Sequence, residues 1–270
     1  MLRTPLNASS HLANRRTIPL QATTGFLNRR HAWHILALVW LGLAHAWAMS
    51  IASAAAPAPI YSRVSPSADG IGKVYMGREI SNVMSYHGAN WLERAERLKE
   101  EQPDRVLAAL DLKAGMVVAD IGAGTGYYAR RIAQVIGSRG LVYAVDIQPE
   151  MLKLMERELA RSGVSNVKPI LSTPTSLRLA PGSLDLAVMV DVYHELEHPF
   201  ETMASIVQAV KSGGRIAFVE FRANDARVPI KPLHTMSEEQ VRREASLHGL
   251  EWIKTVRDLP WQHVIVFRKP

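Results

Sequence analysis

VVADIGAGTGYYARR, residues 117–131, reads as a strand, a glycine turn and the start of a helix. A run of branched apolar residues ends at Asp120-Ile121. Gly122, Gly124 and Gly126 follow as G-x-G-x-G, and a helical apolar period begins at Tyr127. Glycines at such a turn let the chain bend tightly and let ligand atoms approach the backbone. Twenty residues after Gly126, Asp146 closes the next apolar run, LVYAVDI. A carboxylate there can accept both hydroxyls of a ribose.

The nucleotide is not a dinucleotide. The fingerprint G-x-G-x-x-G started at Gly122 meets Tyr127, and started at Gly124 it meets Ala129. Asp120 also stands two residues before the first glycine. A carboxylate there is a poor neighbour for a pyrophosphate and a good one for a cation. A cofactor carrying an ammonium and a sulfonium suits it.

Working outward, apolar runs alternate with amphipathic stretches. PEMLKLMERELARSG has Pro149 at a first-turn position and stops at Gly163. SLDLAVMVDV is a near-continuous apolar strand. PFETMASIVQAVKSGG reads as a helix ending at Gly213-Gly214, before a strand RIAFVEF. Ser237 caps a last helix, and two strands near LEWIKTV and HVIVFR close the chain without a helix between them. Strands buried on both faces and separated by helices imply a doubly wound α/β domain. The expected sheet is mostly parallel with an antiparallel C-terminal hairpin.

VVADIGAGTG, YAVDIQPEML, SLDLAVMVDVYHEL and VKSGGRIAFVEF together resemble, in order and spacing, the motifs of class I S-adenosylmethionine-dependent methyltransferases. The resemblance covers roughly Leu107 to Phe221. It implies a Rossmann-like seven-stranded sheet, S-adenosylmethionine as cofactor and a small-molecule acceptor. By resemblance, Asp120, Gly122, Ala123, Gly124 and Gly126 surround the methionine moiety, and Asp146 holds the ribose. Ile147 and Met151 flank the adenine. Members of this type often carry Gly-Asp-Ala after the third strand; here Ser172-Thr173-Pro174 stands there, and Thr173 can accept a hydrogen bond from the adenine amine.

Methyl transfer needs mainly positioning, plus a base where the acceptor must lose a proton. Ligands of open α/β sheets sit at the carboxyl ends of the strands. Those ends supply Asp191, Tyr193 and His194 as catalytic candidates, with His194 as the base. Asp191 has a second reading as a contact to the cofactor amine. Glu220 reads as a partner of Arg222 or Arg215. Ile80, Val83 and Met84 stand at helical spacing, so residues 73–106 are expected to form a helical lid with Tyr86, His87 and Trp91 over the site. His234 is expected to border the acceptor pocket.

His194-Glu195-Leu196-Glu197-His198 also spells H-E-x-x-H, a zinc hydrolase signature. Both histidines must then share a helical face, but His198 precedes Pro199, and that position is pushed out of helix. The match follows directly on a buried strand. The reading therefore assigns no metal. A non-catalytic ligand-binding protein of methyltransferase-like fold is the other alternative.

Hydrophobic residues make up 47% of the 270, enough for a sizeable core. The +7 net charge belongs largely to residues 1–56, which hold five arginines and no acid. The rest carries 27 basic against 25 acidic residues, which gives no charge argument for a nucleic-acid surface. There is no cysteine, so thiol nucleophiles and Cys-ligated zinc are excluded. An acid-free basic start, the apolar run Ile35–Met49 and Ala54-Ala55-Ala56 read as a signal or anchor leader over 1–56. Export to the periplasm or membrane anchoring is expected, or a cytoplasmic protein if translation starts downstream. A Pro/Ser-rich linker is expected over 57–72, with the methyltransferase domain over 107–270.

Overall fold

The computed structural model describes residues 60–270. The leader expected over 1–56, and with it the export reading, lies outside these residues. A small antiparallel sheet comes first, with β1 (Tyr61–Arg63), β2 (Gly70–Tyr75) and β3 (Arg78–Ser81) in that order. This corrects two expectations: part of the linker is strand, and residues 73–106 do not open as a helix. Ile80, expected on a helical face, is buried on β3. The physical reason is a two-residue hairpin. Tyr75 pairs with Arg78, and both Met76 (φ 47°) and Gly77 (φ 92°) have positive φ. Such turns match the strand twist but usually announce themselves as Asn-Gly; Met-Gly gives no such signal.

Helix appears only beyond a 3-10 turn at Tyr86–Gly88, as α1 (Ala89–Leu92), α2 (Arg97–Glu100) and α3 (Pro103–Ala109). Strands and helices then alternate: β4 (Val117–Ile121), α4 (Tyr127–Ile136), β5 (Leu141–Asp146), α5 (Pro149–Ser162), β6 (Val167–Leu171) and β7 (Leu184–Val190). They continue with α6 (Pro199–Ala209), β8 (Val210–Phe221), α7 (Glu238–Ser246), β9 (Glu251–Val256) and β10 (Gln262–Arg268). The helix expected to reach Gly214 stops at Ala209, where Val210 turns extended (φ −76°, ψ 138°).

The second sheet has seven strands in the order β6-β5-β4-β7-β8-β10-β9. β4 to β8 run parallel; β10 is antiparallel to both β8 and β9. The C-terminal hairpin thus inserts its last strand beside β8 and leaves β9 at the edge. Neighbouring residues on one strand feed opposite cores. Val118, Leu186, Val188 and Ala217 pack with α4 and α5 through Ile132, Ile136 and Met155. Ala119, Ala187, Met189 and Phe218 pack with α6 and α7 through Met203, Ile206 and Val241. That is the doubly wound arrangement expected from runs apolar on both faces. β4 and β7 are sheet neighbours while β5 lies on the other flank, so the strand order reverses beside β4. Ligands of such sheets bind at that reversal.

Candidate active site

A cavity of about 490 Å³ opens at this place. Its lining includes Ile121 and Gly122 at the end of β4, Asp146 and Ile147 at the end of β5, and Val190 and Asp191 at the end of β7. Val83, Met84, Trp91 and Leu92 cover one side, and His194, Glu195 and His234 line another.

The glycine turn is held by its own bonds. Gly122 N and Ala123 N both donate to Val145 O, at 2.8 and 3.0 Å, which tie the turn to β5. Gly124 N donates to Asp146 Oδ2 at 2.8 Å, and Gln148 N donates to Oδ1 at 2.8 Å. Gly122 and Gly124 have φ of 67° and 55°, where side chains are strained. A Cβ on Gly122 would stand 2.2 Å from Val192 Cγ2, and one on Gly124 would stand 2.5 Å from Leu92 Cδ1. The two glycines therefore keep the turn low beneath the lid.

Most expected cofactor residues converge on the cavity. Gly122, Gly124, Asp146, Ile147, Met151 and Thr173 line it. Three others do not. Gly126 is spent as the left-handed residue ahead of α4 (φ 80°), and Ala123 is buried in the core beside that helix. Asp120 is buried a layer below, since it lies inside β4 rather than past its end. Burial pushes the Asp120 carboxyl up to about 7, against the pull of Arg97 and the Ala129 amide. Its Oδ2 has no partner among the described residues.

This raised value has a stability consequence. A carboxyl held above its ordinary value near 3.9 favours the fold while protonated, and that contribution is lost as pH rises toward 7. Asp120→Asn is expected to leave Tm nearly unchanged at pH 4. At pH 8 it should raise Tm by roughly 3–8 °C. Thermal melts at both values check it; equal shifts at the two would refute the assignment.

Asp191 lines the cavity in a strained conformation, φ 52°, of the kind that clusters at functional sites. Its Oδ2 accepts from Gln262 Nε2 at 2.5 Å, while Oδ1 has no partner among the described residues. Burial, with the charges of Glu101 and Glu220 adding, pushes this carboxyl well up. A bound cation would supply the missing partner. This favours the cofactor-amine reading of Asp191 over an acceptor-side role.

Tyr193 corrects an expectation. It does not line the cavity; its ring is fully buried, edge-on to Phe218 at 4.9 Å. The 3-10 turn Tyr193–Glu195 turns successive side chains to different sides. His194 does meet the cavity, as does Glu195; the His194 ring is held from behind. Its Nδ1 lies 2.6 Å from Glu220 Oε2, and Glu220 Oε1 accepts from Tyr193 N at 2.9 Å. Burial alone would push this imidazole down, but the buried Glu220 carboxylate, with Glu195, outweighs it and holds it raised. Glu220 therefore partners neither arginine. Arg222 donates to Asp225 and to the carbonyls of Leu259, Pro260 and Gln262, and Arg215 donates to the carbonyls of Leu110 and Asp111.

The second histidine of H-E-x-x-H stands elsewhere. His198 Nδ1 lies 3.1 Å from Lys73 Nζ, and its ring lies edge-on to Tyr61. The small sheet braces this loop from behind. Lys73 donates to Glu197 O at 2.6 Å, while Ser81 Oγ and Arg78 Nη1 donate to His194 O at 3.2 and 3.3 Å.

Sequence reasoning missed the residues that fasten the lid. Gln148 takes the Tyr86 amide at 2.9 Å and gives a bond to Met84 O at 2.9 Å. Glu93 takes Thr125 Oγ1 at 2.6 Å and Arg130 at 2.9 Å. Among the expected lid side chains Trp91 lines the cavity; Tyr86 and His87 instead stack on each other at 4.1 Å.

A methyltransferase domain family model matches residues 112–260, which is more than half of the chain. The chain belongs to the methyltransferase domain family. A protein-L-isoaspartate O-methyltransferase of Methanococcus aeolicus is 33% identical over 108 residues, covering 40% of this chain and 47% of that protein. A ubiquinone/menaquinone biosynthesis C-methyltransferase UbiE of Marinomonas is 31% identical over 111 residues, covering 41% and 44%. The chain thus spans about half the length of the curated relatives it matches. Among solved structures, an S-adenosylmethionine-dependent methyltransferase from Aquifex aeolicus superposes with a TM-score of 0.66. It is 24% identical and covers 68% of this chain and 98% of that one. The [4+2]-cyclase SpnF superposes at 0.54, with 18% identity over 63% and 80%. At these identities both likenesses show the fold alone.

Proposed function

We propose that this chain transfers a methyl group from S-adenosylmethionine to a small-molecule acceptor. The observation that carries it is that one cavity runs from Asp146 and Gly122 to His194. A donor at the first end and an acceptor at the second then share one enclosure. The donor fits the residues present. Asp146 retains lone pairs for ribose hydroxyls, Ile147 and Met151 offer apolar flanks, and Asp191 Oδ1 lacks a partner that an ammonium provides. When bound, S-adenosylmethionine supplies an electrophilic methyl group.

The chain's own residues position, exclude water and present an electron pair. Leu92 and Trp91 close the cavity over the glycine turn. Glu220 holds His194 through Nδ1, which leaves the Nε2 lone pair on the acceptor side. A cavity of about 490 Å³ falls in the range of roughly 300–1,000 Å³ usual for small ligands. It suits a small acceptor better than a protein segment such as the substrate named for the isoaspartate relative.

Calorimetry with S-adenosylmethionine, followed by turnover against quinols, phenols and an isoaspartyl peptide, tests the reading. Micromolar donor binding with turnover of a small acceptor is expected. Turnover of the peptide alone would overturn the acceptor class, and binding without any turnover would favour a non-catalytic role. Export or anchoring through the leader is proposed alongside, and mass spectrometry of the native N-terminus checks it.

A further inference from the structure

Two imidazoles and one carboxylate converge at the acceptor end of the cavity. His194, Glu195 and His234 each offer one ligand atom, and these atoms lie within 4.8 Å of one another. Glu195 Oε1 stands 3.8 Å from His194 Nε2 and 3.4 Å from His234 Nδ1. Ligands held at about 2.0–2.1 Å around one ion sit roughly 3.0–3.4 Å apart. The two Glu195 separations need only a few tenths of an ångström to reach that spacing, and the two imidazoles close onto an ion from at most 4.8 Å.

Two of the three atoms are also left bare by what holds their side chains. His194 Nδ1 is engaged by Glu220, whose side chain is fully buried. In the neutral ring that pairing keeps the proton on Nδ1 and leaves Nε2 as a lone pair. The carboxylate–histidine pairing is the arrangement that orients and strengthens a metal-ligating imidazole. Glu195 Oε2 accepts from Met84 N at 3.2 Å, which leaves Oε1. The loop bearing Glu195 is fixed in turn by Arg78 and Ser81 through His194 O.

We propose that His194, Glu195 and His234 bind one divalent transition-metal ion, with further coordination positions open to the cavity. The proposal rests on the reading of that cavity as the acceptor site, and it assigns the His194 lone pair to an ion. Two imidazole nitrogens with one carboxylate select iron(II), manganese(II), cobalt(II) or zinc(II) over magnesium or calcium, which prefer oxygen ligands. The open positions face the space where an acceptor would lie. They suit an acceptor with an oxygen donor such as a phenolate, enolate or hydroxy acid, which the ion would polarise and orient.

The H-E-x-x-H motif is only half used. Its first histidine and its glutamate belong to the set, but the second histidine comes from the 3-10 turn Pro232–His234. His198 is tied to Lys73 instead.

The test uses the full chain stripped with a chelator. Zinc chloride is titrated by calorimetry and cobalt chloride by visible absorption. One equivalent is expected to bind, at micromolar affinity or better. Glu195→Gln and His234→Ala should each weaken it by 100-fold or more. Glu220→Gln should weaken it about 10- to 100-fold by freeing the imidazole. His198→Ala should leave it unchanged. Thermal melts confirm that each variant folds, and His234→Ala removes a partly buried side chain, 22% exposed, from a short 3-10 turn. Absence of stoichiometric binding overturns the proposal. So does binding that His234→Ala leaves intact, or tighter binding of magnesium or calcium chloride than of zinc. S-adenosylmethionine calorimetry on the same samples separates the two readings. Donor binding without metal binding sinks only the ion, and metal binding without donor binding sinks only the methyl transfer.

Discussion

Asp146→Ala is expected to weaken S-adenosylmethionine binding by at least about 100-fold. Two losses add. The carboxylate would no longer accept ribose hydroxyls, and hydrogen bonds to a charged group are worth roughly 1.5–3 kcal/mol each. Gly124 N would lose its 2.8 Å bond to Oδ2, and with it the pin that sets the height of the glycine turn. An unpaired buried amide costs about 1–3 kcal/mol. Burial already holds the Asp146 carboxyl above its ordinary range, so removing its charge gives back part of that cost to the ligand-free fold. The change should therefore read mainly on affinity, with only a small drop in Tm. Asp146→Asn keeps the volume and should fall nearly as far, because an amide nitrogen cannot accept. Calorimetry on both variants checks this. Affinities within threefold of the wild-type value would remove Asp146 from the donor site.

The residues legible in the sequence are those whose position is dictated by the backbone around them. Gly122 and Gly124 sit at positive φ beneath Val192 and Leu92, so the turn demands glycine, and Asp146 follows at the end of the adjoining strand. The sheet was legible because Val118 and Ala119, or Ala217 and Phe218, are apolar on both sides of the strand. The acceptor end was half legible. His194 stood out by its place after β7, but its partner Glu220 comes from β8, 26 residues on. Only the parallel register of β7 on β8 brings the two together. Gln148, Glu93 and Arg78 left no trace because each acts through polar contacts distant in sequence. Such a contact has no period, and any exposed side chain of the same type looks identical. The β2–β3 hairpin was hidden for a local reason: Met76 occupies a left-handed position that asparagine or glycine usually marks.

Arg78 shows how much such a hidden residue can carry. Arg78→Ala is expected to destabilise the fold by about 3–5 kcal/mol, the usual result of removing one member of a buried pair. Its guanidinium meets both oxygens of Glu244, at 2.7 and 3.0 Å, and the Glu244 side chain is 0% exposed. Without Arg78, that carboxylate keeps, among the described residues, the hydrogen bond from Gln240 Nε2 at 2.7 Å. The guanidinium also lies 5.3 Å over the Tyr193 ring and donates to His194 O. One side chain thus fastens the small sheet to α7 and to the loop that carries His194. Surface pairs behave differently. Arg243→Ala, which breaks the exposed pair with Glu239, should cost less than about 1 kcal/mol. Urea denaturation measures both. The double change Arg78→Met/Glu244→Leu separates charge from packing. If the penalty is the stranded carboxylate, the double variant recovers most of the stability. His194, however, still lacks its guanidinium brace, so acceptor turnover stays low while donor affinity matches that of the unsubstituted protein. Recovery of neither would place the role of Arg78 in the shape of the interface rather than in its charge.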